Sequence, residues 1–291
     1  MNDVQWWCSA SGVTWTWEWR PYPGVWLFVA ALAAIYWWVA RRGDEPDGER
    51  ESGRVHGGRI FSAVLGIIFL WLTLDWPVGA IGAGYLAGVH AIQFVMLAMA
   101  VPPLLLLGVR PAALRRLEAH DGWSRFIRVI TTPLLSMVIF AVVMVITHVP
   151  RVVDPLMVSQ PGSFVLDMAW LVSGFIFWWP LVLPTPHRPR FVPPLRMLYL
   201  FFGTLAHVFI AMWLLLAPYP VYATYELAPP FPFPGLNPLV DQQVAGGVML
   251  LVGSPLVLVA ISIVFFRWLG TGEERQRPGA GMTPTGVAHT S

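Results

Sequence analysis

YLAGVHAIQFVMLAMAVPPLLLL, residues 85–107, contains no charged side chain, and GVRPAALRR follows it directly. Roughly 20 consecutive apolar residues suffice for a helix to cross the hydrocarbon core of a bilayer, so this stretch reads as a membrane span that ends in arginine. Similar runs lie at 22–40, 60–76, 126–147, 164–183, 196–217 and 241–268, the second short and the last long. The chain has no lysine, and all but two of its 18 basic residues fall in alternate gaps between these runs. Arg41, Arg42, Arg50, Arg54 and Arg59 occupy one gap, and Arg110, Arg115, Arg116, Arg125 and Arg128 the next but one. Arg188, Arg190 and Arg196 follow, then Arg267, Arg275 and Arg277, leaving Arg20 and Arg151 in the other set. Arginine-rich short loops stay cytoplasmic. The expectation is therefore an all-α, polytopic integral membrane protein with seven transmembrane helices, its N-terminus outside and its C-terminus cytoplasmic.

Composition agrees. The chain is 56% hydrophobic and 12% charged, with a mean hydropathy of +0.63, well away from the soluble balance. The net charge of +2 reflects a one-sided distribution rather than a partner, and no nucleic acid is implied. Three regions are expected: an aromatic outer-face segment at 1–21, a membrane domain at 22–268 and a disordered cytoplasmic tail at 269–291. Asp3 and Glu18 stand where a signal peptide would be basic, so the N-terminus is not read as one. Trp6, Trp7, Trp15, Trp17, Trp19 and Trp26 favour the headgroup level, which predicts that this segment lies along the outer interface. The lone Cys8 has no internal disulfide partner and leaves a free or intermolecular thiol. GDEPDGERESGRVHGG at 43–58 reads as a flexible cytoplasmic loop. PYPVYATYELAPPFPFPGLNPLV at 218–240 is proline-rich and aromatic without a basic residue, which predicts a lid over the outer mouth of the bundle, with Phe231 and Phe233 limiting water entry. No internal repeat suggests an inverted-repeat transporter.

A polar side chain inside a spanning helix is costly and marks a candidate site. Here these residues gather in the outer half. His90 falls roughly 9 Å, His207 roughly 16 Å and Met249 roughly 12 Å below the outer end of their helices, at ~1.5 Å per residue. His148 and Asp154 lie at the outer end of the fourth run and just beyond it, while Asp75, Asp167 and Asp241 close or open neighbouring runs. Imidazole and thioether together suit Cu(I). Met144 shares a helical face with His148, and Met96 and Met212 add thioethers at similar depth. The plain alternatives stand beside this reading: a membrane histidine often only bonds a neighbouring helix, methionine mostly packs, and Asp241 suits an N-cap. His56, His120, His187 and His289 fall in loops or the tail and read as solvated. No lysine is available for a retinal Schiff base, and no nucleotide loop or hydrolase motif occurs, so the chain is not expected to be an enzyme.

Taken in order, HAIQFVMLAMAVPPLLLLGVRP (90–111), THVPRVVDPLM (147–157), FWWPLVLP (177–184), LYLFFGTLAHVFIAMWLL (198–215), Tyr222 to Tyr225 and DQQVAGGVM (241–249) resemble the seven-span CtaG-type cytochrome c oxidase assembly factors of bacteria. The resemblance covers roughly residues 20–270 and carries over His90, His148, Asp154, Asp241, Gln242, Gly246 and Met249. It implies a role in maturing a haem-copper oxidase from the bacterial inner membrane, with transient Cu(I) as cargo. It also implies partners among the oxidase subunits, a periplasmic copper chaperone and membrane lipid. Two positions depart from the pattern: Phe94 and Asp167 stand where the family carries histidine. The expected metal set is thus His90, His148, His207, Asp241 and Met249, with Asp154 and Met144 at the mouth. A permease using the same cluster, or a structural docking subunit of a respiratory complex, are the other readings; against the permease, the inner halves of the helices lack ionisable residues.

Overall fold

A chain in hydrocarbon must satisfy its backbone hydrogen bonds internally, and apolar runs of this length do so as helices. The computed structural model describes residues 5–41, 53–110, 114, 121–183, 191–232 and 235–276, and among them every regular element is helical. The order begins with α1 (Pro23–Arg41), α2 (Gly53–Leu74), α3 (Val78–Gly84), α4 (Ala87–Val95) and α5 (Val101–Gly108), the last two joined by a π turn at Met96–Ala100. It continues with α6 (Asp121–Ile130), α7 (Pro133–His148), α8 (Pro150–Met157), α9 (Gln160–Val182), α10 (Pro193–Gly203), α11 (Leu205–Leu216) and α12 (Ala223–Glu226). The last are α13 (Pro238–Val248) and α14 (Ser254–Gln276), joined by a second π turn at Met249–Gly253.

Five helices among the described residues are long and apolar enough to cross a membrane, and six if a bent pair counts as one span. The apolar part of α1, Pro23–Trp38, is shorter than these. The fourth expected span is not one straight rod: α6 and α7 meet at a 70° bend. Pro133 causes it, because a residue before proline is pushed out of the α region, and Thr132 has ψ 128°. Both π turns also precede prolines, Pro102 and Pro103 in one case and Pro255 in the other, whose missing N–H groups interrupt the helical ladder.

Several boundaries differ from the sequence reading. α2 starts at Gly53, inside the stretch expected to be a loop, and residues 43–52 lie outside the described ones. α14 continues to Gln276, past the expected end at 268, because Glu273, Glu274, Arg275 and Gln276 favour helix; 277–291 lie outside the described residues. The N-terminal segment does not simply lie along an interface. The backbone amides of Trp6 and Trp7 donate to Gln160 Oε1 at 2.7 and 3.3 Å, and the indole of Trp7 donates to Asp167 Oδ2 at 2.8 Å. Trp7 and Cys8 are buried, whereas Trp17 and Trp19 stay exposed. The Cys8 thiol donates to the Leu74 carbonyl at 3.3 Å. Burial, then the nearby Asp167 and Asp75, pushes this thiol well above its ordinary range, so it is a packed neutral group rather than a site of intermolecular pairing.

Packing brings backbones close where side chains are absent. A Cβ on Gly174 would lie 2.5 Å from the Ala98 carbonyl oxygen, and one on Gly246 would lie 2.6 Å from that of Ala211. These contacts seat α9 against the π turn and α13 against α11. Cross-bonds fix the register: Ser62 Oγ donates to Leu104 O, Tyr36 OH to Leu105 O and Arg59 to Val109 O, satisfying carbonyls at the C-terminal end of α5. Arg59, Arg110, Arg196 and Arg267 therefore mark one end of the bundle, and His90 lies near the other.

Candidate functional site

Asp241 sets the geometry of the histidine end. Its carboxylate, near the start of α13, accepts from the backbone N–H groups of Ala87 at 2.6 Å and Gly88 at 3.0 Å. Those are free donors of the first turn of α4, where the helix dipole also favours negative charge. Both Asp241 oxygens are therefore engaged on the helix that carries His90. Its neighbour Gln242 accepts from Val221 N at 2.6 Å and donates to the carbonyls of Leu214 and Tyr219, anchoring the start of the lid.

Three buried or half-buried histidines follow, each with one ring nitrogen committed to an oxygen acceptor. His90 Nδ1 lies 3.2 Å from Gln93 Oε1, while Gln93 Nε2 donates to Thr73 O at 3.0 Å. That orientation makes Oε1 the acceptor, so His90 carries its proton on Nδ1 and leaves a lone pair on Nε2. His90 Nε2 is buried without a hydrogen-bond partner. His148 Nδ1 donates to the Met144 carbonyl at 2.8 Å, again leaving the lone pair on Nε2. His207 Nε2 donates to the Met249 carbonyl at 2.7 Å, at the π turn, and its Nδ1 is buried without a partner. Holding one imidazole nitrogen by an oxygen is how proteins orient the other toward an electrophile.

His90, His148 and Met249 line one cavity of about 30 Å³, together with Trp170, Tyr222 and Tyr225. Such a volume has room for an ion or a water molecule. Trp170 lies against His90 at a ring separation of 4.9 Å and donates its indole N–H to Thr147 Oγ1 at 2.9 Å. Phe94 decides which histidines share the cavity. Its ring meets His148 edge-on at 5.0 Å and stacks on His207 at 5.7 Å, so His207 sits behind it. His207 is fully buried and does not line the cavity. Among the described residues, no group of three or more His, Cys, Asp or Glu could hold a metal ion. What the cavity offers is two imidazoles and a thioether, a sparse donor set suited to a soft ion.

The other expected residues take different places. Met144 is buried and contributes its carbonyl to His148, while its sulfur does not line the cavity. Met212 turns outward, 38% exposed, and Met96 lies in the first π turn outside the cavity lining. Asp154 accepts from Ala223 N at 3.2 Å, from Thr224 N at 3.1 Å and from Thr224 Oγ1 at 2.8 Å, so it caps α12. Asp167, in the place of an expected histidine, binds Trp7 and is outside the cavity lining.

The lid closes the cavity with tyrosines rather than phenylalanines. Tyr222 OH donates to the His148 carbonyl at 3.0 Å, and Tyr225 OH donates to the Gly82 carbonyl at 2.7 Å. Burial, then Asp154, raises the Tyr222 hydroxyl above the usual phenol range; burial, then Asp241, does the same for Tyr225. Both are neutral donors. Phe231 instead packs against Trp15 at 5.5 Å and Tyr85 at 6.2 Å, and Phe233 lies outside the described residues. Sequence reasoning missed Gln93 and Trp170. Gln93 carried a signal, a lone amide three residues after His90 in an apolar run; Trp170 carried none among so many tryptophans.

The family model described as cytochrome c oxidase caa3 assembly factor (Caa3_CtaG) matches residues 31–271, most of the chain. No curated protein and no solved structure matches it.

Proposed function

The chain belongs to the cytochrome c oxidase caa3 assembly factor family, and from that premise we propose that it holds Cu(I) transiently on the way to the oxidase. The copper is cargo, received between His90 Nε2, His148 Nε2 and the Met249 thioether. The observation that carries this reading is the single cavity lined by two histidines whose protons are fixed on the far nitrogen. Imidazole and thioether donors favour Cu(I), and so few donors favour release over storage. Tyr222 and Tyr225 keep the cavity covered, and Asp154 holds that cover in place. The arginine asymmetry supports seven crossings of a bacterial cytoplasmic membrane with the histidine end outside. Copper would then arrive from a carrier on that side.

The permease reading is disfavoured, because Leu97, Met99 and Leu105 are fully buried along α4–α5 between the cavity and the arginine-rich end. A docking role has one observation in its favour, the exposed indoles of Trp17 and Trp19 near the histidine end. Copper content separates the two. Protein purified from copper-supplemented cells should retain copper, and His90→Ala should lose it along with oxidase maturation, at unchanged protein level. Equal copper in both proteins, with normal oxidase, would leave the docking role.

A further inference from the structure

Met249 is both the thioether on the wall of the histidine cavity and the first residue of the second π turn, Met249–Gly253. Its sulfur is aimed by the backbone on either side. Before it, α13 is fixed: Asp241 binds the first turn of α4, and Gly246 lets α13 come close to the Ala211 carbonyl. After it, the π turn sets how Met249 is rotated relative to α14. Such a turn holds one residue more than an α turn, and each residue of an α-helix advances about 100° around the axis. His207 grips this turn from α11. Its ring is fully buried, and Nε2 donates to the Met249 carbonyl at 2.7 Å. At the other end of the turn Gly253 makes room for the same ring: a Cβ there would lie 2.5 Å from His207 Nε2 and 2.7 Å from Cε1. The imidazole therefore touches the turn at its first residue and at its last.

We propose that His207 is a positioning residue: it holds the π turn in the register that presents the Met249 sulfur to the cavity of His90 and His148, and it does not touch the ion itself. The inference rests on the reading of Met249 as a copper donor. A methionine side chain has three rotatable bonds and adapts readily, so a definite place for its sulfur has to come from the backbone that carries it. The imidazole-to-carbonyl bond supplies that anchor, and in buried surroundings neither group has water to replace the other. A hydrocarbon side chain at 207 removes the anchor and lets the turn relax toward an ordinary α turn. Two observations separate this role from that of a ligand. His207 lines no part of the cavity, and the Phe94 ring, which does line it, stacks on His207 at 5.7 Å. The His207 Nδ1 lone pair is buried without a partner, and the nitrogen that is engaged is the one on the turn. Groups that orient a metal donor without contacting the metal commonly alter affinity by roughly 10- to 100-fold.

Full-length protein in detergent is loaded with Cu(I) without oxygen. The readouts are Cu(I) affinity and X-ray absorption, which counts the sulfur and nitrogen neighbours of the copper. His207→Leu should lose the sulfur neighbour, keep the nitrogens and bind Cu(I) roughly 10- to 100-fold more weakly. His207→Gln should restore both sulfur and affinity, since its amide N–H can donate to the same carbonyl. His207→Leu with Met249→Leu should bind no more weakly than Met249→Leu alone, because both changes remove the same contact. Gly253→Ala keeps every polar group but pushes the ring off the turn, so it should reproduce His207→Leu and serves if that variant does not fold. A sulfur neighbour at wild-type affinity in His207→Leu or Gly253→Ala would reduce the histidine to packing. A nitrogen neighbour lost from both His207 variants would make it a ligand. Either result overturns the inference. Wild-type protein that binds no Cu(I) would instead refute the copper reading itself, and this inference with it.

Discussion

Replacing Asp241 separates a helix cap from a metal ligand. The carboxylate accepts two backbone N–H groups at 2.6 and 3.0 Å, and the residue is buried. Asp241→Ala leaves both donors without their carboxylate partner at a buried position. Hydrogen bonds to a charged acceptor contribute about 1.5–3 kcal/mol each, and measured N-cap losses run from about 0.5 to 2 kcal/mol. A loss of about 3 kcal/mol is expected, which corresponds to a melting temperature about 6–12 °C lower for a domain of this size. Asp241→Asn keeps one acceptor oxygen and turns an amide donor toward the other N–H, so about half of that loss should remain. Thermal unfolding in detergent, monitored by circular dichroism and by copper content on the same samples, provides the assay. Both variants should melt earlier, and Asp241→Asn should keep its copper within about twofold, since no lone pair of the cavity has been removed. A variant that melts like the wild type but has lost its copper would refute this, and would make Asp241 a ligand.

Met249→Leu, which nearly conserves volume and removes only the sulfur, should fold normally and retain less copper by metal analysis. Phe94→His places a third imidazole between His148 and His207 and should increase copper retained through dialysis; an unchanged amount would mean that the two histidines are too far apart to share an ion. Asp154→Ala removes three hydrogen bonds from α12, so the lid at 218–240 should become sensitive to proteases added from the outside and copper should dissociate faster. Alkaline phosphatase joined after residue 50 should be inactive and joined near residue 228 active, because the arginines lie on the side of residue 50; the opposite pattern would invert the orientation.

The apolar runs and the arginine distribution were legible by themselves, because hydrocarbon thickness and backbone desolvation constrain a membrane chain locally, run by run. The apolar runs are largely helical among the described residues, but only five helices, or six if the bent pair counts as one, are long and apolar enough to span, and the family match covers residues 31–271. The bend at Pro133 and the π turns before Pro102 and Pro255 are also local effects of proline on its own helical turn, but the sequence reading took those three runs as unbroken. Which polar groups meet was not legible. Asp241, Asp154 and Asp167 look alike in sequence as acids at helix ends, yet one caps α4, one caps the lid and one holds Trp7. Each finds a donor more than 60 residues away, and only the packed bundle decides which donor that is. The sequence reading puts His90 and His207 in the outer half and His148 at its outer end through the rise of a helix. Their grouping was decided by rotation about the helix axes and by one ring: Phe94 admits His90 and His148 to a common cavity and screens His207 from it, because close packing lets no two side chains occupy the same space.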